Sequence, residues 1–90
     1  MGMNTAIKNM QIRDNACGVL GIELMAAAQA LDFRDFQFGR GVSTAQARVR
    51  ETVEFLDVDR PLHHDHTAMQ ELVRDGGVLR AVEGEVGLLD

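Results

Sequence analysis

The stretch that decides the fold is Ala16-Cys17-Gly18-Val19-Leu20-Gly21-Ile22-Glu23-Leu24-Met25-Ala26-Ala27-Ala28-Gln29-Ala30-Leu31, in which the polar residues are Glu23 and Gln29. It has no proline. Apolar or small residues recur at Ile7, Met10, Cys17, Gly21, Leu24, Ala28 and Leu31, at alternating spacings near three and four, which is the helical period. The spacing predicts one long helix over about 4–31, with Asn4 or Thr5 as its cap. Lys8, Asn9, Gln11, Arg13 and Asn15 make the first half amphipathic. The second half is apolar nearly all the way round and is expected to be covered on every side. At 16 residues it falls short of the roughly 20 that a membrane span needs, so it reads as a buried helix of a soluble protein.

Side-chain bulk on this helix is unusually low. Gly18, Gly21, Ala26, Ala27, Ala28 and Ala30 let neighbouring backbones approach closely, although each glycine costs about 1 kcal/mol of helix propensity. A helix of about 28 residues is about 42 Å long. The short helices in the rest of the chain are not expected to wrap it, so other chain material is.

Working outward, Phe33, Phe36 and Phe38 precede Gly39-Arg40-Gly41, predicting an aromatic loop over 33–42 anchored by its rings. Ser43 and Gln46 have capping-box spacing, which predicts a second helix over about 43–56 with Ala45, Val49, Val53 and Leu56 on one face. Residues 57–64 read as a connector, because Pro61 disfavours helix at Arg60. A third helix is expected over about 65–75, capped by Asp65, burying Met69, Leu72 and Val73 and stopping at Gly76-Gly77. A short helix over about 77–82 and a frayed tail over 83–90 complete an all-α reading of one helical segment spanning 1–90.

Composition removes several functional classes. The chain has 90 residues, 46% hydrophobic and 26% charged, which describes one small folded unit. A net charge of −5 with nine scattered Lys and Arg offers no basic stripe for phosphates, so no nucleic-acid partner is expected. No membrane partner is expected either. The single cysteine, Cys17, cannot form an internal disulfide, and residues 1–8 lack an apolar leader segment, so the expected compartment is the cytoplasm.

The candidate sites each have a plainer reading. His63-His64-Asp65-His66 has the donor types of a zinc or nickel site, but a solvated loop with Asp65 as a helix cap accounts for it, and no metal ligand is assigned. Glu23 in an apolar helix can be a general acid or base with a raised pKa, or a structural carboxylate held by a hydrogen bond or an arginine. Cys17 has no histidine or lysine beside it to activate the thiol and reads as packing. Gly39-Arg40-Gly41 can present amides to an anion, but reads as a turn. No catalytic, cofactor-binding or metal residue is assigned.

The run from Asp14 to Arg34, with Phe55-Leu56-Asp57-Val58-Asp59-Arg60-Pro61-Leu62 and Glu71-Leu72-Val73-Arg74 before Gly76, resembles the C-terminal region of histidine ammonia-lyases and their tyrosine and phenylalanine relatives. The resemblance covers nearly the whole chain, and Met1-Gly2 resembles the point just after a family run that carries an active-site carboxylate. It implies a mostly helical fold, a homotetramer built on long packed helices, and elimination of ammonia from an aromatic amino acid. The family's electrophile, a methylidene-imidazolone, is made from Ala-Ser-Gly, whereas Ser43 stands between Val42 and Thr44, and the chain has no tyrosine for proton transfer. The resemblance therefore implies a truncated C-terminal piece, inactive alone, with a structural or split-subunit role beside a complementary lyase fragment or further copies of itself. The alternatives are a stand-alone helical module that self-associates and a remnant without function.

Overall fold

The computed structural model describes residues 2–34 and 37–88. The expected Phe36 anchor, the Met1 boundary and the end of the tail at Leu89 and Asp90 lie outside the described residues. The fold is all-helical, with α1 Gly2–Asp32, α2 Arg40–Thr52, α3 His63–Arg74 and α4 Gly77–Val86. No strand occurs among the described residues.

α1 has no proline or positive-φ residue to interrupt it and runs straight through the expected cap. Asn4 and Thr5 lie inside the helix, because nothing in the sequence before them stops it at that end. α3 packs along α1 in the antiparallel sense: Arg74 pairs with Asp14 at 3.2 Å, Gln70 Nε2 donates to Asp14 O at 2.8 Å, and Met69 lies over Gly21. At Gly21 the approach is backbone to backbone. A Cβ there would stand 3.0 Å from Gln70 N and Met69 C. The close neighbour that the glycines anticipate is thus a helix of the same chain.

α4 packs along α2, and the turn between α3 and α4 is made at Gly76, whose φ of 75° is the left-handed conformation that glycine adopts most readily. The core is Ala28, Val49, Val53, Met69 and Leu72, with Leu24, Met25 and Val78 packed against it. It is small, and the molecule is open. The radius of gyration is 15.0 Å, where a compact domain of this length has about 12 Å. The surface is 6573 Å², where a compact globule of this mass exposes about 5,200 Å².

Several expected boundaries move, each for a local reason. The capping box does not form: α2 begins at Arg40 after an extended Gly39, and Ser43 N donates to Gly39 O inside the helix. Gln46 instead donates to Asp32 Oδ1 at 2.6 Å, holding α2 to the end of α1. The same helix stops at Thr52, before the expected Leu56, because Val53, Glu54 and Phe55 give their carbonyls to arginine side chains, and Gln29 binds the backbone of Leu56. Residues 53–62 form the connector. α3 starts at His63 with Leu62 as N-cap and no side-chain cap, so Asp65 is a first-turn acid and not a cap. α4 continues to Val86, past the expected end at residue 82, because Gly84 faces open space and imposes no turn.

The second half of α1 is only partly wrapped by the short helices, as their length leads one to expect. Only Gly21 and Ala28 are buried on α1, while Val19, Leu20 and Ile22 are 57%, 47% and 45% exposed. α3 covers one face, and the opposite face is left uncovered by the described residues. Among the described residues, no helix is long and apolar enough to cross a membrane.

Candidate functional site

The most organised polar arrangement lies where the connector crosses the end of α1. Gln29, one helical turn before the end of α1, makes a two-point clamp: Nε2 donates to Leu56 O at 2.8 Å and Oε1 accepts from Leu56 N at 3.1 Å. This is the pairing that a neighbouring strand would provide, supplied by one amide side chain. Arg50 then bridges three segments. Its Nε donates to Asp32 Oδ2 at 3.0 Å, Nη2 contacts the same oxygen, Nη1 donates to Val53 O at 3.2 Å, and the guanidinium lies 5.8 Å from the Phe55 ring centroid. Phe55 meets Phe33 edge to face at 5.8 Å.

Arg60 mirrors this on the other side of the connector, donating to Glu54 O at 2.8 Å and to Asp65 Oδ2 at 3.1 Å. Together these groups frame a groove of about 200 Å³ whose floor is Met25, Val53, Leu56 and Leu62. Both guanidiniums are already neutralised by carboxylates. With its arginine donors spent on carboxylates and backbone carbonyls, the groove presents an apolar floor beside the Glu54 side chain, which neither arginine pairs with, and what the arrangement does is fix the connector. Spacing alone did not reveal it, because Gln29 and Leu56 are 27 positions apart and an amide in an apolar helix carries no motif.

The residues singled out from the sequence are scattered. His63 and His64 are exposed, with ring centroids 3.8 Å apart, and His66 is half-buried on the next turn. Asp65 is held by Arg60, and no cluster able to hold a metal ion is present among the described residues. Glu23 is exposed and has no hydrogen bond or ion pair among the described residues, so neither a buried acid nor an arginine-held carboxylate describes it in this chain. Cys17 is a half-buried free thiol. Gly39-Arg40-Gly41 is the entry to α2, with Arg40 Nε 3.7 Å from Glu85 at the surface. Ser43 sits in the first helical turn of α2 between Val42 and Thr44.

Comparison with known proteins joins these observations to a family. A family model described as aromatic amino acid lyase matches residues 1–54, which hold α1 and α2. The histidine ammonia-lyase of Myxococcus xanthus (strain DK1622) is 46% identical over 83 residues, covering 91% of this chain and 16% of that protein. That of Anaeromyxobacter sp. (strain K) is 46% identical over 79 residues, covering 87% and 16%. That of Sorangium cellulosum (strain So ce56) is 41% identical over 91 residues, covering 100% and 18%. No solved structure matches the chain. The chain spans less than a fifth of the length of these relatives, and the stretch matched is their C-terminal part. On the extent of these matches, the chain belongs to the aromatic amino acid lyase family.

Proposed function

We propose that this chain supplies C-terminal helices to an ammonia-lyase assembly of the histidine type in the cytoplasm, as a structural element whose reacting groups come from other chain material. The observation that carries the reading is the half-covered state of α1. One face is fitted to α3 at backbone distance, while the other leaves Val19, Leu20 and Ile22 in water. A single solvated helix face of this kind is characteristic of a surface meant to be covered. The chain's own chemistry supports a structural role: no tyrosine, no Ala-Ser-Gly, and two arginines at the connector that are consumed by structure.

The test is complementation. The chain is mixed or co-expressed with a lyase segment that contains Ala-Ser-Gly, and urocanate formation from histidine is followed by absorbance. The expected result is no product from the chain alone, and product with a co-purifying complex from the mixture. Product from the chain alone, or a complementary segment equally active and equally stable without it, would overturn the proposal.

The alternative, a helical module that works through self-association, draws on the same uncovered face. It is favoured if the chain forms a stable homo-oligomer and gains nothing from the lyase segment.

A further inference from the structure

The groove beside the connector has the build of a socket. Its floor is Met25, Val53, Leu56 and Leu62, and the connector wall is fixed before anything enters, by the Gln29 clamp on Leu56 and by Arg50 and Arg60. A wall already held loses little further freedom when a ligand packs against it. The volume, about 200 Å³, lies below the range of about 300 to 1,000 Å³ usual for small-molecule sites, and suits one group the size of a leucine or phenylalanine side chain.

Charge decides what flanks that group. Arg50 and Arg60, the cations lining the groove, are each neutralised by a carboxylate. Glu54 also lines it, is exposed, and has no side-chain hydrogen bond or ion pair among the described residues. The same holds for Asp57 and Asp59, exposed on the connector that supplies the wall. The apolar floor is therefore bordered by uncompensated negative charge, which attracts a cationic partner and repels an anionic one.

We propose that the groove receives one apolar side chain from a segment of another protein chain, flanked in that segment by Lys or Arg residues that meet Glu54 and the acids of the connector. A buried apolar anchor with a charged rim is the form in which a small contact carries most of its affinity. The contact uses the flank of α1 at Met25, Ala26 and Gln29, and leaves Val19, Leu20 and Ile22 to a covering of their own. It deepens the assembly reading, and rests on it for the source of the segment, the complementary lyase segment.

The test titrates short peptides into the full 90-residue chain and follows the Met25 and Leu56 methyl signals by NMR. Acetyl-Gly-Lys-Leu-Lys-Gly-amide should bind about tenfold or more tighter than the same peptide with Glu in place of Lys, or with Ala in place of Leu. Glu54→Lys should reverse the charge preference. Its urea midpoint should stay that of the native chain, because Glu54 holds the connector only through its backbone carbonyl. Ala26→Phe, which fills the groove from α1, should abolish binding of every peptide. Free 3-methylbutylamine, with a comparable apolar body and one cation, should bind about tenfold more weakly than the Lys-Leu-Lys peptide, for want of the second cation and the chain. No binding, no charge preference, a preference unchanged by Glu54→Lys, binding that survives Ala26→Phe, or an amine as tight as the peptide would each overturn the proposal. If the peptide pattern holds and complementation fails, the lyase segment falls as the source and the chemistry of the groove stands. If complementation succeeds without the pattern, the groove falls and the assembly reading stands.

Discussion

The two faces of α1 invert the usual rule for a small domain. Against α3 the helix presents Gly18 and Gly21, residues with no side chain, and relies on Met69 and Gln70 of α3 to fill the contact. Away from α3 it places the branched side chains of Ile12, Val19 and Ile22, at 65%, 57% and 45% exposure. In a self-sufficient domain the bulky side chains face inward, because burying each stabilises by about 1.5 to 3 kcal/mol. Here the contact inside the chain is a close backbone fit, and much of the helix's hydrophobic surface lies in water. The difference is what the proposed assembly role calls for, and it separates residues that set the stability of this chain from residues that such a role would use.

The sharpest way to break the comparison is through the covered face. Met69 is fully buried over Gly21, so Met69→Ala leaves a cavity that the flanking helices cannot close, and unfolding free energy should fall by about 2 to 5 kcal/mol in urea titration. Gly21→Leu attacks the same contact from the other helix. Its Cβ alone would meet α3 backbone at 3.0 Å, so α1 and α3 must separate, at a cost of about 1 to 3 kcal/mol, whereas Ala16→Leu on the uncovered face should leave stability unchanged. Equal losses for Gly21→Leu and Ala16→Leu would show that the two faces are not distinct.

The connector gives the next largest effect. Gln29→Ala removes both hydrogen bonds to Leu56 and leaves a half-buried backbone amide and carbonyl without partners, a loss of about 1 to 3 kcal/mol. Amide exchange at Leu56 should accelerate in the variant while exchange at Met69 follows only the global change. If Leu56 exchange is unaltered, the clamp does not hold the connector.

How far the sequence carried the reading follows from the range of the interactions. The long helix, the close approach at Gly21 and the break at Gly76 were legible, because each depends on periodicity or on a missing Cβ at one position. The end of α2 was not. Val49 and Val53 keep the helical apolar spacing, but the carbonyls of residues 53–55 are taken by Arg50 and Arg60, and no window along the chain shows that capture. Gln46 was legible as a capping partner and is used instead to reach Asp32, since a contact across helices offers it a carboxylate where the cap offers one backbone amide. Glu23 was read as buried because its neighbours are apolar. Burial of that face needs a surface that α2, α3 and α4 do not provide.

The smallest expected effect is the one that sharpens the comparison most. Ile22 is 45% exposed on the uncovered face, so at concentrations low enough to keep copies apart Ile22→Gln replaces one solvated side chain by another. Surface changes of this kind stay within about 0.5 kcal/mol, and the helix propensities of the two residues differ little. Its urea midpoint at sub-micromolar concentration should therefore match that of the native chain. At high concentration the two should diverge. Where copies cover one another's outer face, mass action raises the midpoint of the native chain with concentration, while the variant, with less apolar surface to bury between copies, should rise less. A variant destabilised equally at every concentration would mean that Ile22 is packed within the chain, and the division between an inner face built for α3 and an outer face built for assembly would no longer describe α1.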